Sequence, residues 1–149
     1  MKGIGTFVAI LLVSLGVATY FVTRPPSRDL DAQGRAWVER YEKWTDTTQR
    51  KLDRAVVGMD FSSKSKNARL VEPLRDCSVS FAQIGEPPAL LTPVRDSVMA
   101  ACSRAERAVR VNERFDDYSL ATINLNLRQA ETGLVLSRQK LAVALGESG

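Results

Sequence analysis

The chain has 149 residues, 44% hydrophobic and 26% charged, with 21 Lys and Arg against 17 Asp and Glu, a formal charge of +4 and no histidine. That length suits one small domain and excludes a multidomain enzyme. The missing histidine excludes Ser-His-Asp and Cys-His arrangements, the H-E-x-x-H zinc site and any histidine proton shuttle.

The averages conceal two unlike parts. Gly3 to Val22 is a run of 20 residues without charge, GIGTFVAILLVSLGVATYFV, which as a helix rises roughly 30 Å, the thickness of a bilayer core. Lys2 precedes it, Tyr20 and Phe21 stand where interfacial aromatics collect, and Arg24-Pro25-Pro26 closes it with a charge and two helix stops. Residues 1–23 are therefore expected to be a single membrane anchor, 24–28 a short linker, 29–146 a helical bundle and 147–149 a tail. A cleaved signal peptide, with small residues Gly16 and Ala18 near the cut, is the rival; the apolar run continues past that point through Val22.

Two signals oppose each other on orientation. Lys2 alone lies before the span, whereas Arg24, Arg28, Arg35, Arg40 and Lys43 follow it, which would hold the domain in the cytoplasm. A long domain behind a short N-terminal tail translocates largely regardless of charge, and the two cysteines look like an oxidised pair. The expectation is a cytoplasmic N-terminus and a periplasmic or extracellular domain.

Period-3.6 patterns dominate the remainder, so the fold class is all-α, an antiparallel bundle of about four helices. Ser27 or Asp29 can cap the first helix, with Leu30, Trp37, Tyr41, Trp44, Leu52, Ala55 and Met59 on one stripe and an end near Gly58. Asp60 to Lys66 then reads as a polar connection. A second helix carries Leu70, Leu74, Cys77, Phe81 and Ile84, with Pro73 either inside it or marking its first turn, and Gly85-Glu86-Pro87-Pro88 stops it.

Thr92-Pro93 opens a third helix as a cap followed by proline, with Val94, Val98, Cys102, Ala105 and Val109 facing inward. After a break within Asn112 to Asp117, the fourth and longest helix places Leu120, Ile123, Leu127, Ala130, Leu134, Leu141 and Leu145 on one face, interrupted by Ser137.

Cys77 and Cys102 fall on the inner stripes of the second and third helices. Counted from the turn, they stand at similar heights, roughly 10 and 13 Å at 1.5 Å per residue. A disulfide between them is expected; two buried free thiols are the plain alternative. Two cysteines without histidine do not complete a zinc shell, so no metal is expected, and neither phosphate loop nor dinucleotide fingerprint occurs, so no cofactor is expected. The S-x-x-K tetrapeptides Ser63/Lys66 and Ser137/Lys140 lack companion motifs, and Asp116-Asp117 suits the start of a helix better than acid/base work.

Three side-chain groups remain as candidate surfaces. Trp37, Tyr41 and Trp44 form an aromatic row, a wall for a ligand or else simply core. Arg104, Arg107, Arg110 and Arg114 share one side of the third helix, an anion or lipid-headgroup face or else solvated charge near a helix C-terminus. Tyr118, Leu125, Leu136 and Val143 lie opposite the inner stripe of the fourth helix, making it apolar on two sides. Either that helix is central in the bundle, or the second stripe meets a partner chain or another copy. The sequence thus suggests a non-catalytic, membrane-anchored accessory or interaction subunit that does not bind nucleic acid, for which the charge is too weak. Its alternatives are an envelope-bridging rod of the phage-spanin kind and a secreted ligand-binding helical protein.

Overall fold

The computed structural model describes residues 30–60, 62–114 and 119–147. The expected anchor, the linker and Tyr118 lie outside the described residues. Among these residues there are helices and no strands, and no helix is long and apolar enough to cross a membrane.

The first helix, α1, runs Ala32–Gly58 and is capped by Asp31, whose carboxylate accepts from the Gly34 N–H at 2.6 Å, rather than by Ser27 or Asp29. Trp37, Tyr41, Leu52 and Ala55 are buried as their spacing requires, while Leu30, Trp44 and Met59 pack at the edge of the core. Thr45 and Thr48 are buried beside them. Thr45 conceals its hydroxyl by donating to the Tyr41 carbonyl at 2.7 Å, so a polar residue occupies a core position at little cost.

The connection expected over Asp60 to Lys66 is already helical in its second half. The next helix, α2, spans Lys64–Val71 behind a Ser63 cap. Its position is fixed by the fully buried Asn67, whose amide accepts from the Asp60 N–H at 2.9 Å and donates to the Asp60 carbonyl at 2.7 Å. One side chain thereby satisfies both backbone groups of the loop. Asp60 in turn accepts from the Ser62 hydroxyl and N–H and pairs with Lys66, which together pull its carboxyl down to about 2.

The second predicted helix is not continuous. A 3-10 turn, Glu72–Leu74, follows α2, and the six-residue helix α3 begins anew at Cys77–Ala82. Pro73 is the cause: it lacks an N–H and its ring crowds the preceding turn. Four of the expected inner positions survive the break, because Leu74, Cys77, Phe81 and Ile84 are buried, while Leu70 is only half-buried and Val71 takes its place in the core. A second 3-10 turn, Ala89–Leu91, leads into α4, Thr92–Glu113. Here Leu91 occupies the cap position without a side-chain bond and Thr92 is the first helical residue, so proline at the start holds but the threonine cap does not. Val94, Val98, Cys102, Ala105 and Val109 are buried as expected.

The last helix, α5, spans Ser119–Leu145 and equals α1 at 27 residues rather than exceeding it. It closes in Gly146, at φ 76°, with Glu147 N–H on the Ala142 carbonyl and Gly146 N–H on that of Val143. This pairing saturates the last carbonyls, and the positive φ makes glycine the natural residue there.

The contacts fix the directions. Tyr41 meets Ser137 and Asp53 faces Glu131, while Ser97 meets Lys140 and Ala101 lies under Gly133. Both α1 and α4 therefore run antiparallel to α5. The start of α1, the turn 83–91 and the end of α5 share one pole of the bundle. The turn after Gly58 and the end of α4 share the other. Gly133 permits the closest approach of α4 and α5, since a Cβ there would stand 2.8 Å from that of Ala101.

Candidate functional site

Cys77 and Cys102 form a disulfide with Cα atoms 5.1 Å apart, within the range such a bond needs. It pins α3, a helix of six residues that is too short to form alone. Both ends of α3 are also completed from outside. At its start, the Glu106 carboxylate of α4 accepts from the Ser78 N–H at 2.8 Å and from the Ser78 hydroxyl, placing negative charge at the helix N-terminus. At its end, Arg40 Nε and Trp37 Nε1 of α1 donate to the carbonyls of Ile84 and Gly85, each at 2.9 Å.

The aromatic row is split by its surroundings. Trp37 and Tyr41 are fully buried, stacked at 5.4 Å with an interplanar angle of 11°, and Phe81 meets Trp37 edge-on at 6.4 Å. They are core, not a ligand wall. Only Trp44 reaches the edge, and its Nε1 donates to Ser80 Oγ at 3.1 Å. The Tyr41 hydroxyl lies 2.7 Å from Ser137 Oγ, which itself donates to the Leu134 carbonyl, so the phenol is the donor between them. Burial pushes the Tyr41 phenol above its usual range despite that bond.

The S-x-x-K tetrapeptides do not form serine–lysine pairs. Ser63 caps α2 while Lys66 pairs with Asp60, and Ser137 serves Tyr41 while Lys140 reaches Ser97 Oγ at 2.7 Å. Ser97 spends its proton on the Pro93 carbonyl at 3.0 Å. No group of three acidic or cysteine side chains is placed to hold a metal ion among the described residues. Two open clefts of about 330 and 340 Å³ flank the bundle, one by Asp46, Arg138 and Leu145, the other by Phe81, Arg95 and Met99. In the first Arg138 pairs with Asp46 at 2.7 Å, and in the second Arg95 pairs with Glu86 at 3.0 Å.

Arg104, Arg107, Arg110 and Arg114 are all exposed along the second half of α4. None joins an ion pair among the described residues, where Glu106 turns to Ser78 and Glu113 to Arg75 at 2.7 Å. The row ends at the pole opposite Leu30. Its charge suits the negative end of the α4 dipole.

The second stripe of α5 is the most unusual surface. Among the described residues the helix is not central: it packs on α1 and α4 with one face and leaves the other open. Leu125 is 57% exposed, Leu136 45% and Val143 68%, with Val135 beside them at 50%. Between these leucines and the valine stand exposed Gln129, Thr132 and Gln139. Leu125, Gln129, Thr132, Leu136, Gln139 and Val143 thus recur at steps of 4, 3, 4, 3 and 4, and none is charged. The exposed side of α1, by contrast, carries Arg35, Glu39, Glu42, Asp46, Arg50 and Asp53. The glutamines and the threonine escaped the sequence reading because they are polar. Their alignment on the helix with Leu125, Leu136 and Val143 was the available signal.

No protein-family model, curated protein or solved structure matches this chain.

Proposed function

We propose that the chain is a single-pass membrane protein whose disulfide-pinned helical domain lies outside the cytoplasm and serves, without catalysis, as an accessory subunit that docks through α5. The observation that carries this reading is the exposed, uncharged seam from Leu125 to Val143. An uncharged face with Leu125, Val135, Leu136 and Val143 exposed on a charged domain marks an interaction surface. The uncharged run Gly3 to Val22 supports the anchor. The Cys77–Cys102 bond supports an oxidising compartment. The antiparallel return of each segment supports a compact subunit over an envelope-bridging rod.

An anchor ahead of Leu30 sets the pole with the end of α5 toward the membrane. Arg110 and Arg114 then lie at the far pole, which favours an acidic protein surface over the headgroups of the same membrane as their counterpart. The docking reading is tested by a Leu125→Arg/Leu136→Arg double variant. Both side chains are exposed, so the variant is expected to melt within about 2 °C of the parent, in line with the small effect of surface substitutions. The parent is expected to be extracted from native membranes in mild detergent within a larger complex, and the variant to be extracted without it. A variant that folds and keeps every association contradicts the reading.

A further inference from the structure

We propose that the arginine row of α4 receives an acidic segment of a partner protein, whose carboxylates meet the guanidinium groups of Arg104, Arg107 and Arg110. This deepens the reading of the row given above and rests on it, while leaving the α5 face and its occupant aside.

The row weakens the helix that carries it. Arg104 and Arg107, and again Arg107 and Arg110, stand three residues apart, and Arg110 and Arg114 four apart, so neighbouring guanidinium groups repel along one side. The helix dipole offsets this only in the last turn, which includes Arg110 but neither Arg104 nor Arg107. Packing gives no other reason for them, since all four are exposed. Elsewhere the surface balances its charges: Arg95 lies on Glu86 and Asp96, and Arg138 on Asp46. The exposed positions of α4 between Asp96 and Glu113 hold no acid. Such a row is complementary to anions brought from outside.

Its outline selects among them. The row is about 15 Å long at 1.5 Å per residue and one helix wide. Exposed Asp96 stands on the same side of α4, five turns before Arg114, and the exposed carboxylates of Glu72 and Glu113, gathered at Arg75, flank the far end. A membrane of anionic headgroups is a plane and meets these acids together with the arginines, whereas a short acidic segment reaches the arginines alone.

The test uses the full chain in non-ionic detergent at low salt, with octaglutamate carrying a neutral dye as the probe. The parent is expected to bind it, and Arg107→Glu to bind it roughly tenfold more weakly, the scale of reversing one charge in contact with carboxylates. Arg50→Glu makes the same change of net charge on the exposed side of α1 and is expected to leave binding within about twofold. Arg107→Glu also turns two repelling pairs, with Arg104 and Arg110, into attracting ones, so it is expected to melt at or above the parent temperature. No binding by the parent, or equal weakening by Arg50→Glu, overturns the proposal. A lower melting temperature for Arg107→Glu gives the row an internal structural role and overturns it too. Phosphatidylglycerol micelles that bind the parent more tightly than octaglutamate does, and lose that binding in Arg107→Glu, assign the row to headgroups and overturn the protein partner. No position is shared with the Leu125→Arg/Leu136→Arg test, so the row and the α5 face fail separately.

Discussion

Replacing Trp37 with alanine is expected to lower the unfolding free energy by about 3–5 kcal/mol, the cost of removing a large aromatic from a packed core. The indole is 0% exposed, stacked on Tyr41 and met edge-on by Phe81. Its Nε1 also donates to the carbonyl of Gly85, a residue at φ 89° in the turn that reverses the chain after α3. The substitution therefore opens a cavity and leaves a turn carbonyl without its donor. Trp37→Phe separates the two effects, since it keeps much of the apolar volume and removes the N–H, and it is expected to cost the smaller part. Chemical denaturation of the purified domain measures both. A Trp37→Ala variant within about 1 kcal/mol of the parent contradicts this account, because surface positions alone tolerate such changes so well.

Opening the disulfide, by reduction or by a Cys77→Ala/Cys102→Ala pair, is expected to cost roughly 3 kcal/mol, from the chain entropy released when a loop of 25 residues is freed. For a domain of this size that lowers the melting temperature on the order of 10–20 °C. The loss is expected to concentrate in α3. That helix has six residues, and the disulfide, Glu106 and the two α1 donors hold it in place. Hydrogen exchange in the opened protein should then rise first over Cys77 to Gln83, while α1, α4 and α5 keep their protection. Uniform loss across all helices, or an unchanged melting temperature, contradicts the assignment of α3 as the dependent element.

Much of this bundle was legible from periodicity. The inner positions of α4, from Val94 to Val109, and of α5, from Leu120 to Leu141, are buried as their spacing demands, and the pairing of Cys77 with Cys102 followed from helix heights alone. The start of α2 was not legible, because Lys64-Ser65-Lys66 is polar and the helix depends on Asn67 reaching back to Asp60. Pro73 was read as a place where the second helix starts or bends, but its division into separate helical pieces was not, because the stripe Leu74, Cys77, Phe81 and Ile84 keeps its spacing across a backbone that does not stay helical. Long-range partners were invisible for the same reason: Glu106 capping α3 and Trp37 holding Gly85 join residues 28 and 48 apart in sequence. Of the candidate surfaces, the aromatic row proved to be mostly core, and the arginine row proved to be exposed. The α5 stripe was seen as three apolar positions and Tyr118, while its polar members emerged only once the helix was known to be open on that side.

The most direct measurement of the docking claim is maleimide labelling of single cysteines at positions 125, 136 and 50, in native membranes and in the isolated domain. All three parent side chains are exposed in the monomer. The account predicts that positions 125 and 136 react freely in the isolated domain and are protected in native membranes, while position 50 reacts equally in both. Equal reactivity of all three positions in both settings would contradict it.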